Sequence, residues 1–392
     1  MIIERISSFR MVRTVTQGEQ TTLLHAVSEK SGERVAVRLL RGEAATDEAE
    51  QRCQRAVRAS QLLAHPAVVR LIQAGRLPDG TVYQIQEQLT GETLAARLSS
   101  RARLPANELL RLGRQIATVL SIAHSRGIVH RALRPESLQL LPDPEAIGGE
   151  RVKITDWGLA QLPAEPGQPP EAPPVPLDQP TYLAPELCRA GTAQSLSPVP
   201  PEWQAAADRI DVYSLGVLLF QMATGQPPFA GRAASEVIAL HIAALPPKLE
   251  QKGVSLPAGL AALVTAMLIK DPTARPTMHE VEARLQQLAA QQQLAKTMLP
   301  PPRSASAPAA PPAMVPNANV TVQLRAPAPA PARRSWRWAV AVGLAVVGLY
   351  GLWLLIGALL GQPRSTVGEP VREAPGPLSA RPAGSTATRR AA

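Results

Sequence analysis

From Ala339 to Leu360 the chain reads AVAVGLAVVGLYGLWLLIGALL, 22 residues without a charge or a proline. At about 1.5 Å rise per residue, such a helix is long enough to cross a hydrocarbon core of about 30 Å. Proline-rich flanks leave it no neighbouring core, so the run predicts a single membrane-spanning helix. Arg333, Arg334 and Arg337 crowd its N-terminal side, whereas Arg364 and Arg372 are sparser beyond it. This bias predicts that residues 1–338 face the cytoplasm and that about 30 residues lie outside. Met1 to Arg13 is charged throughout and has no apolar h-region, so no cleaved leader is expected. The expected location is the cell inner membrane, crossed once.

The net charge of +10 at first suggests a nucleic-acid partner. Its distribution argues otherwise. Residues 291–338 hold six basic residues and no acid, and residues 362–392 hold five Arg against two Glu. Residues 1–290 are therefore nearly neutral, since 339–361 carry no charge, and this excludes the basic face that nucleic acid requires. Residues 294–338 are rich in Pro and Ala and cannot bury enough apolar surface to fold, so they read as an extended tether. Residues 361–392 have the same character and read as a short disordered tail outside the membrane. Cys53 and Cys188 stand far apart in no metal-like spacing and read as isolated thiols of a reducing compartment.

The folded part divides by pattern. Short β-rich runs fill the first 90 residues. Val35 to Leu40 follows the Lys30-Ser31-Gly32 turn, Thr81 to Ile85 follows Pro78-Asp79-Gly80, and residues 46–64 between them have helical spacing. From residue 91 to 293 helices dominate, with helical patterns over 106–126, 208–223, 257–269 and 277–293. A small α+β lobe precedes a larger helical lobe.

Within this frame a series of short motifs occurs in order. Val35-Ala36-Val37-Arg38 comes first, then His65-Pro66, then Ala123-His124-Ser125-Arg126-Gly127-Ile128-Val129. The run His130-Arg131-Ala132-Leu133-Arg134-Pro135-Glu136-Ser137 follows directly. Asp156-Trp157-Gly158, Tyr182-Leu183-Ala184-Pro185-Glu186, Asp211-Val212-Tyr213-Ser214-Leu215-Gly216, Gly225-Gln226-Pro227-Pro228-Phe229 and Asp271-Pro272-Thr273-Ala274-Arg275-Pro276 complete the series. Over about residues 9–290 the chain resembles bacterial Ser/Thr protein kinases of the eukaryotic type. The resemblance implies a bilobal α+β kinase-like fold, with ATP and Mg²⁺ as the cofactors of the family's reaction.

The resemblance also separates scaffold from chemistry. It implies that Glu186 and Arg275 form a buried ion pair and that Asp211 braces the loop carrying His130 and Arg131. All three residues are present. The catalytic positions differ. Of the three glycines in the phosphate-binding loop only Gly18 remains, Thr16 and Thr21 filling the other positions. Arg38 replaces the strand lysine, next to Ala36 over the nucleotide. Ala56 stands where the lysine's helical Glu partner belongs, and Glu50 lies about two turns too early to substitute. Ala132 replaces the Asp base, Arg134 the following Lys and Ser137 the metal-binding Asn, leaving one hydroxyl toward Mg²⁺. Gln139 takes an apolar position beneath the adenine. Asp156 survives, either as a residual Mg²⁺ or nucleotide contact or as a structural carboxylate. Phosphoryl transfer depends on positioning and on neutralising phosphate charge, so multiple losses undercut it.

The segment from Pro163 to Pro180 holds eight prolines and no Ser or Thr, so no phosphorylation switch is expected within it. It reads either as a stiff docking surface or as a drifted insert. The leading expectation is a membrane-tethered pseudokinase that binds active kinases, their substrates or an envelope complex, with ATP and Mg²⁺ bound weakly or not at all. The alternatives are a divergent active kinase that uses Arg38, Asp156 and another base, and an ATP-binding sensor without phosphotransfer.

Overall fold

Alternation at period two builds the N-terminal sheet. In the computed structural model, which describes residues 4–164, 175–191, 200–254 and 256–298, its strands are β1 (Arg5–Ile6), β2 (Phe9–Gln17), β3 (Thr21–Ser28), β4 (Arg34–Leu40), β5 (Leu71–Arg76) and β6 (Val82–Glu87). They pair antiparallel in the order β1-β2-β3-β4-β6-β5. On β4, Val35, Val37 and Leu39 are fully buried and share a core with Ile6, Phe9, Leu24 and Ile85. Their neighbours Ala36, Arg38 and Leu40 therefore take the opposite face. Register sets Arg38 between Leu23 and Gln84, and Ala36 beside Gln86.

Helix α1 (Asp47–Leu63) lies between β4 and β5 in sequence. Thr46 caps it by accepting the Ala49 N–H, acids fill its first turn, and Ala64 ends it in the left-handed region. One buried hydroxyl ties the helix to the sheet. Ser60 Oγ donates to the Val69 carbonyl at 2.7 Å and accepts the Leu71 N–H at 3.0 Å.

The second lobe opens with β7 (Glu92–Thr93), α2 (Leu94–Ser100) and α3 (Ala106–Ser125). The hairpin of β8 (Leu138–Pro142) and β9 (Glu150–Ile154) pairs with β7 in a small sheet. Helices α4 (Pro185–Gly191), α5 (Pro201–Ala205), α6 (Arg209–Thr224), α7 (Ala234–Ala243), α8 (Leu260–Met267) and α9 (Met278–Met298) follow. Helix α6 is apolar on every side because every side is covered: Val212, Leu215, Val217, Leu218, Leu219 and Met222 are all fully buried. Gly225 ends it at φ +84°, where a Cβ would sit 1.8 Å from the Ala102 carbonyl oxygen.

Helix α8 is shorter than the 257–269 expected from pattern. Pro257 and a left-handed Gly259 (φ +91°) delay its start, and Leu268 ends it. Among the described residues no helix is long and apolar enough to cross a membrane. The 339–360 run lies outside them, as do the tether from residue 299, the tail, and residues 165–174 of the proline-rich segment.

Candidate functional site

A cleft of about 990 Å³ runs under the cleft-facing side of the sheet and over the loops that join α3 to β8 and β9 to α4. Its geometry starts from a buried brace. Asp211, fully buried on the first turn of α6, accepts the backbone N–H of His130 and of Arg131, each at 2.8 Å. His124 Nε2 lies 2.8 Å from the same carboxylate. Burial pushes the Asp211 carboxyl up, but the His124 contact, the charge of the two histidines and the His130 amide outweigh it and hold its pKa low. The brace holds Arg131 in the left-handed region at φ +65°, an uncommon conformation for a residue with a side chain.

A second loop locks onto the first. Trp157 is fully buried, its indole N–H donates to the Ile154 carbonyl at 3.1 Å, and its ring meets His130 edge-on at 4.6 Å. His130 Nε2 reaches the Thr155 carbonyl at 2.8 Å, and burial lowers its pKa. Asp156, also left-handed at φ +61°, is thereby turned into the cleft. Helix α1 closes on this loop so tightly that a Cβ on Gly158 would lie 3.1 Å from the Arg52 carbonyl oxygen.

The side chains at the family's catalytic positions pair with one another. Arg38 Nη1 faces Asp156 Oδ1 at 4.0 Å, and Arg134 Nη2 faces Asp156 Oδ2 at 3.7 Å. Arg134 also contacts Glu136 and donates to the Gln179 side chain, which belongs to the segment leading into α4. Ala132 lines the cleft and offers no proton acceptor. Ala56 lines it too, nearly fully buried, so no carboxylate of α1 reaches Arg38 from that position. Glu50, the nearest candidate in sequence, pairs instead with Arg76 at 2.8 Å.

Ser137 is turned into its own loop. Its hydroxyl donates to the Arg134 carbonyl at 2.8 Å and accepts the Arg134 N–H at 3.1 Å, and the residue is fully buried. Closing this turn engages the hydroxyl as both donor and acceptor, and Ser137 does not line the cleft. The glycine loop is equally reduced. Thr16 and Thr21 lie within β2 and β3, leaving a turn at residues 18–20, where the Gly18 N–H donates to the Thr21 carbonyl at 2.8 Å.

These contacts decide what the site fits. Mg²⁺ in a phosphate site needs carboxylates with oxygens to give. Of the family's metal ligands only the Asp156 carboxylate remains, and each of its oxygens already faces a guanidinium. Two unit charges 4 Å apart interact by about 4 kcal/mol at an effective dielectric near 20, and a divalent ion doubles the repulsion from each arginine. No group of three or more His, Cys, Asp or Glu among the described residues could hold a metal. The residues present do not fit Mg²⁺, whereas two guanidinium forks do fit phosphate oxygens. At the base end, Gln84 and Gln86 line the roof and Gln139 the floor, so three amides stand where an apolar sandwich would be expected.

The scaffold contacts are complete. Arg275 meets Glu186 through two parallel bonds of 2.7 and 2.8 Å, with both residues buried. Below the segment that carries Gln179 sits a group the motifs did not reveal. His241 Nε2 reaches the Thr181 carbonyl at 3.0 Å and its Nδ1 reaches Tyr213 at 3.0 Å, with Lys270 and the Phe229 ring packed beside them. Burial, helped by the Lys270 charge, lowers the His241 pKa to about 4. The unfolded chain takes up this proton near pH 6.5, so it binds more protons than the fold between 6.5 and 4 and stability drops as the pH falls through that window. At pH 4.5 the loss from this residue is about 2–3 kcal/mol. Denaturant melts at pH 7 and 4.5 should show a smaller loss of stability in His241→Gln than in the wild type, the remainder coming from groups such as buried His130. Equal losses in both would refute the assignment.

Bilobal architecture, a braced loop at His130-Arg131, the Asp156-Trp157-Gly158 turn and a buried Glu186–Arg275 pair together define a protein kinase. The chain belongs to that family: the protein kinase domain model matches residues 9–285. It is 30% identical to the serine/threonine-protein kinase PknA of Mycobacterium tuberculosis over 272 residues, which is 68% of this chain and 58% of PknA. Similarity to PkaA of Streptomyces coelicolor is 29% over 306 residues (74% of this chain, 51% of the relative), and to PrkC of Bacillus subtilis 27% over 286 residues (72% and 41%). The chain thus spans roughly half the length of these curated bacterial relatives.

Sequence motifs pointed to Arg38, Ala132, Arg134, Asp156 and Ala56, and the structure brings all five to one cleft. They did not reveal His124, Gln179, Gln84 or Gln86. His124 lies in a motif already noted, but nothing in its spacing signals the bond to Asp211. The glutamines carried a legible signal, since β6 places a polar side chain at every second position facing the cleft.

Proposed function

We propose that this chain is a membrane-tethered member of the bacterial Ser/Thr kinase family that has lost efficient phosphotransfer and signals by binding other proteins. The observation that carries the reading is the internal pairing of the cleft. Arg38 and Arg134 each face Asp156, Ala132 supplies no base and Ser137 is turned inward. A positioned base alone is worth about 10²–10⁴ in rate, and losing groups that act together leaves little more to lose.

The binding role is supported by what is retained. Asp211, Glu186 and Arg275 still make the contacts that hold the helical lobe, so a folded surface persists without the chemistry. Its partner is a protein: an active kinase, a kinase substrate or an envelope complex. The apolar run 339–360 anchors it in the inner membrane with the kinase-like domain on the cytoplasmic side, and confinement there raises its local concentration near other anchored proteins. Nucleic acid is not a partner, given the near-neutral folded part.

Two measurements test this. Incubation of the full chain with γ-labelled ATP, Mg²⁺ or Mn²⁺ and a basic-protein substrate should give incorporation no faster than a protein-free control. Turnover at the rate of an ordinary kinase, about 1 s⁻¹ or more, would sink the reading. An alkaline carbonate wash should leave the chain in the membrane pellet, and its release would remove the anchor.

A further inference from the structure

We propose that the cleft binds a nucleoside triphosphate free of divalent metal, with Arg38 and Arg134 gripping the phosphate chain in place of the ion. The inference rests on the phosphotransfer-deficient reading above and adds the ligand. Three observations carry it.

First, Asp156 does not consume the donors of either arginine, although Arg134 also donates to Gln179. At 4.0 and 3.7 Å from Asp156 they are within ion-pair reach but beyond hydrogen-bond distance, and their side chains are 45% and 35% exposed. Both face the same carboxylate, one from β4 above and one from the loop below, so a phosphate chain entering beside Asp156 meets a fork on either side. Second, both positions hold Arg. A planar guanidinium binds phosphate oxygens in pairs, where an ammonium would act as a point charge. Third, at the metal's other expected ligand position the Ser137 hydroxyl closes its own turn in a buried position and does not line the cleft.

Charge then selects the form of the ligand. Two guanidiniums and one carboxylate carry a net charge of about +1. Arg52 and Arg131 line the same cleft, as do Glu43, Glu48, Glu136 and Asp178, so the positive charge belongs to the two forks beside Asp156 and not to the cleft as a whole. An uncomplexed triphosphate carries about two more negative charges than its magnesium complex and gains more from both forks. At the base end, Gln84, Gln86 and Gln139 supply amide donors and acceptors within the same cleft, matching the edge of a nucleobase. These amides favour a nucleotide over a bare polyanion.

Calorimetric titration of the full chain tests this with three ligands, ATP in EDTA, ATP with excess Mg²⁺ and inorganic triphosphate in EDTA, and the first is repeated on the variants Asp156→Asn, Arg38→Gln and Arg134→Gln. Expected are saturable binding of ATP in EDTA, at least fivefold weaker binding with Mg²⁺, and tenfold or greater weakening in each arginine variant. Asp156→Asn should bind metal-free ATP more tightly by about three- to tenfold, because the competing carboxylate is gone. A metal-dependent site predicts the opposite sign for that variant. Binding that requires Mg²⁺, binding lost in Asp156→Asn, or no binding under either condition overturns the proposal. Triphosphate binding as tightly as ATP overturns the nucleotide assignment. The Mg²⁺ comparison uses the wild type alone, so it decides the matter even if a variant fails to fold. ADP formed in the same Mg²⁺ samples reports separately on phosphotransfer, so failure of one reading can be told from failure of the other.

Discussion

Arg275→Ala should melt about 10 °C or more below the wild type, with the helical lobe lost in a single step. Arg275 is 3% exposed and Glu186 7% exposed, and their two bonds are parallel and short. Removing one partner of such a pair leaves the other charge buried and uncompensated, which costs about 3–5 kcal/mol. The guanidinium also donates to the carbonyls of Ile269, Lys270 and Arg209 at 2.6, 3.0 and 3.0 Å, and lies over the Tyr213 ring at 4.9 Å. These contacts join the α8–α9 connection to the N-terminus of α6, so the loss reaches more than one element. For a domain of this size each kcal/mol shifts Tm by about 2–4 °C. Arg275→Lys should recover only part of the loss, because an ammonium cannot make two parallel bonds. A melting temperature for Arg275→Ala within 2 °C or so of wild type would show that the pair does not hold the lobe.

Much of this arrangement was legible in the sequence because it is local or periodic. Val35, Val37 and Leu39 alternate with Ala36 and Arg38, and that alternation alone sends Arg38 to the cleft side. Helical spacing over 46–64 marked α1, which runs from Asp47 to Leu63. What stayed hidden depends on contacts far apart in sequence. Ser60 looks like an ordinary polar helix residue until β5 brings the Val69 carbonyl and the Leu71 amide to its hydroxyl. Ser137 reads as a reduced metal ligand, but local turn geometry spends its hydroxyl first. The pairing of Arg38 with Arg134 across Asp156 joins residues 96 positions apart, and no motif encodes it. The helical pattern read α8 as too long because it outlasts the helix that Gly259 and Leu268 permit.

Restoring the base by Ala132→Asp should not restore phosphotransfer: incorporation into a basic-protein substrate stays at the wild-type background. The argument is one of coupling. A base contributes when the phosphate, metal and hydroxyl are already placed, and groups that act together lose their effect together. In this cleft the new carboxylate would arrive two residues from Arg134, a guanidinium that Asp156, Glu136 and Gln179 already surround. It is as apt to add a fourth partner to that arginine as to accept a proton. The metal site would remain one carboxylate faced by two cations, and Ser137 would still close its turn. Ala56 would still leave Arg38 without the helical carboxylate that positions the family's lysine. Only a variant that also carries Arg38→Lys, Ala56→Glu, Arg134→Lys and Ser137→Asn rebuilds the set, and any recovered rate belongs there. Single-turnover transfer by Ala132→Asp alone at 100-fold over background would mean that the cleft already positions ATP productively, and that one lost side chain accounts for the missing chemistry.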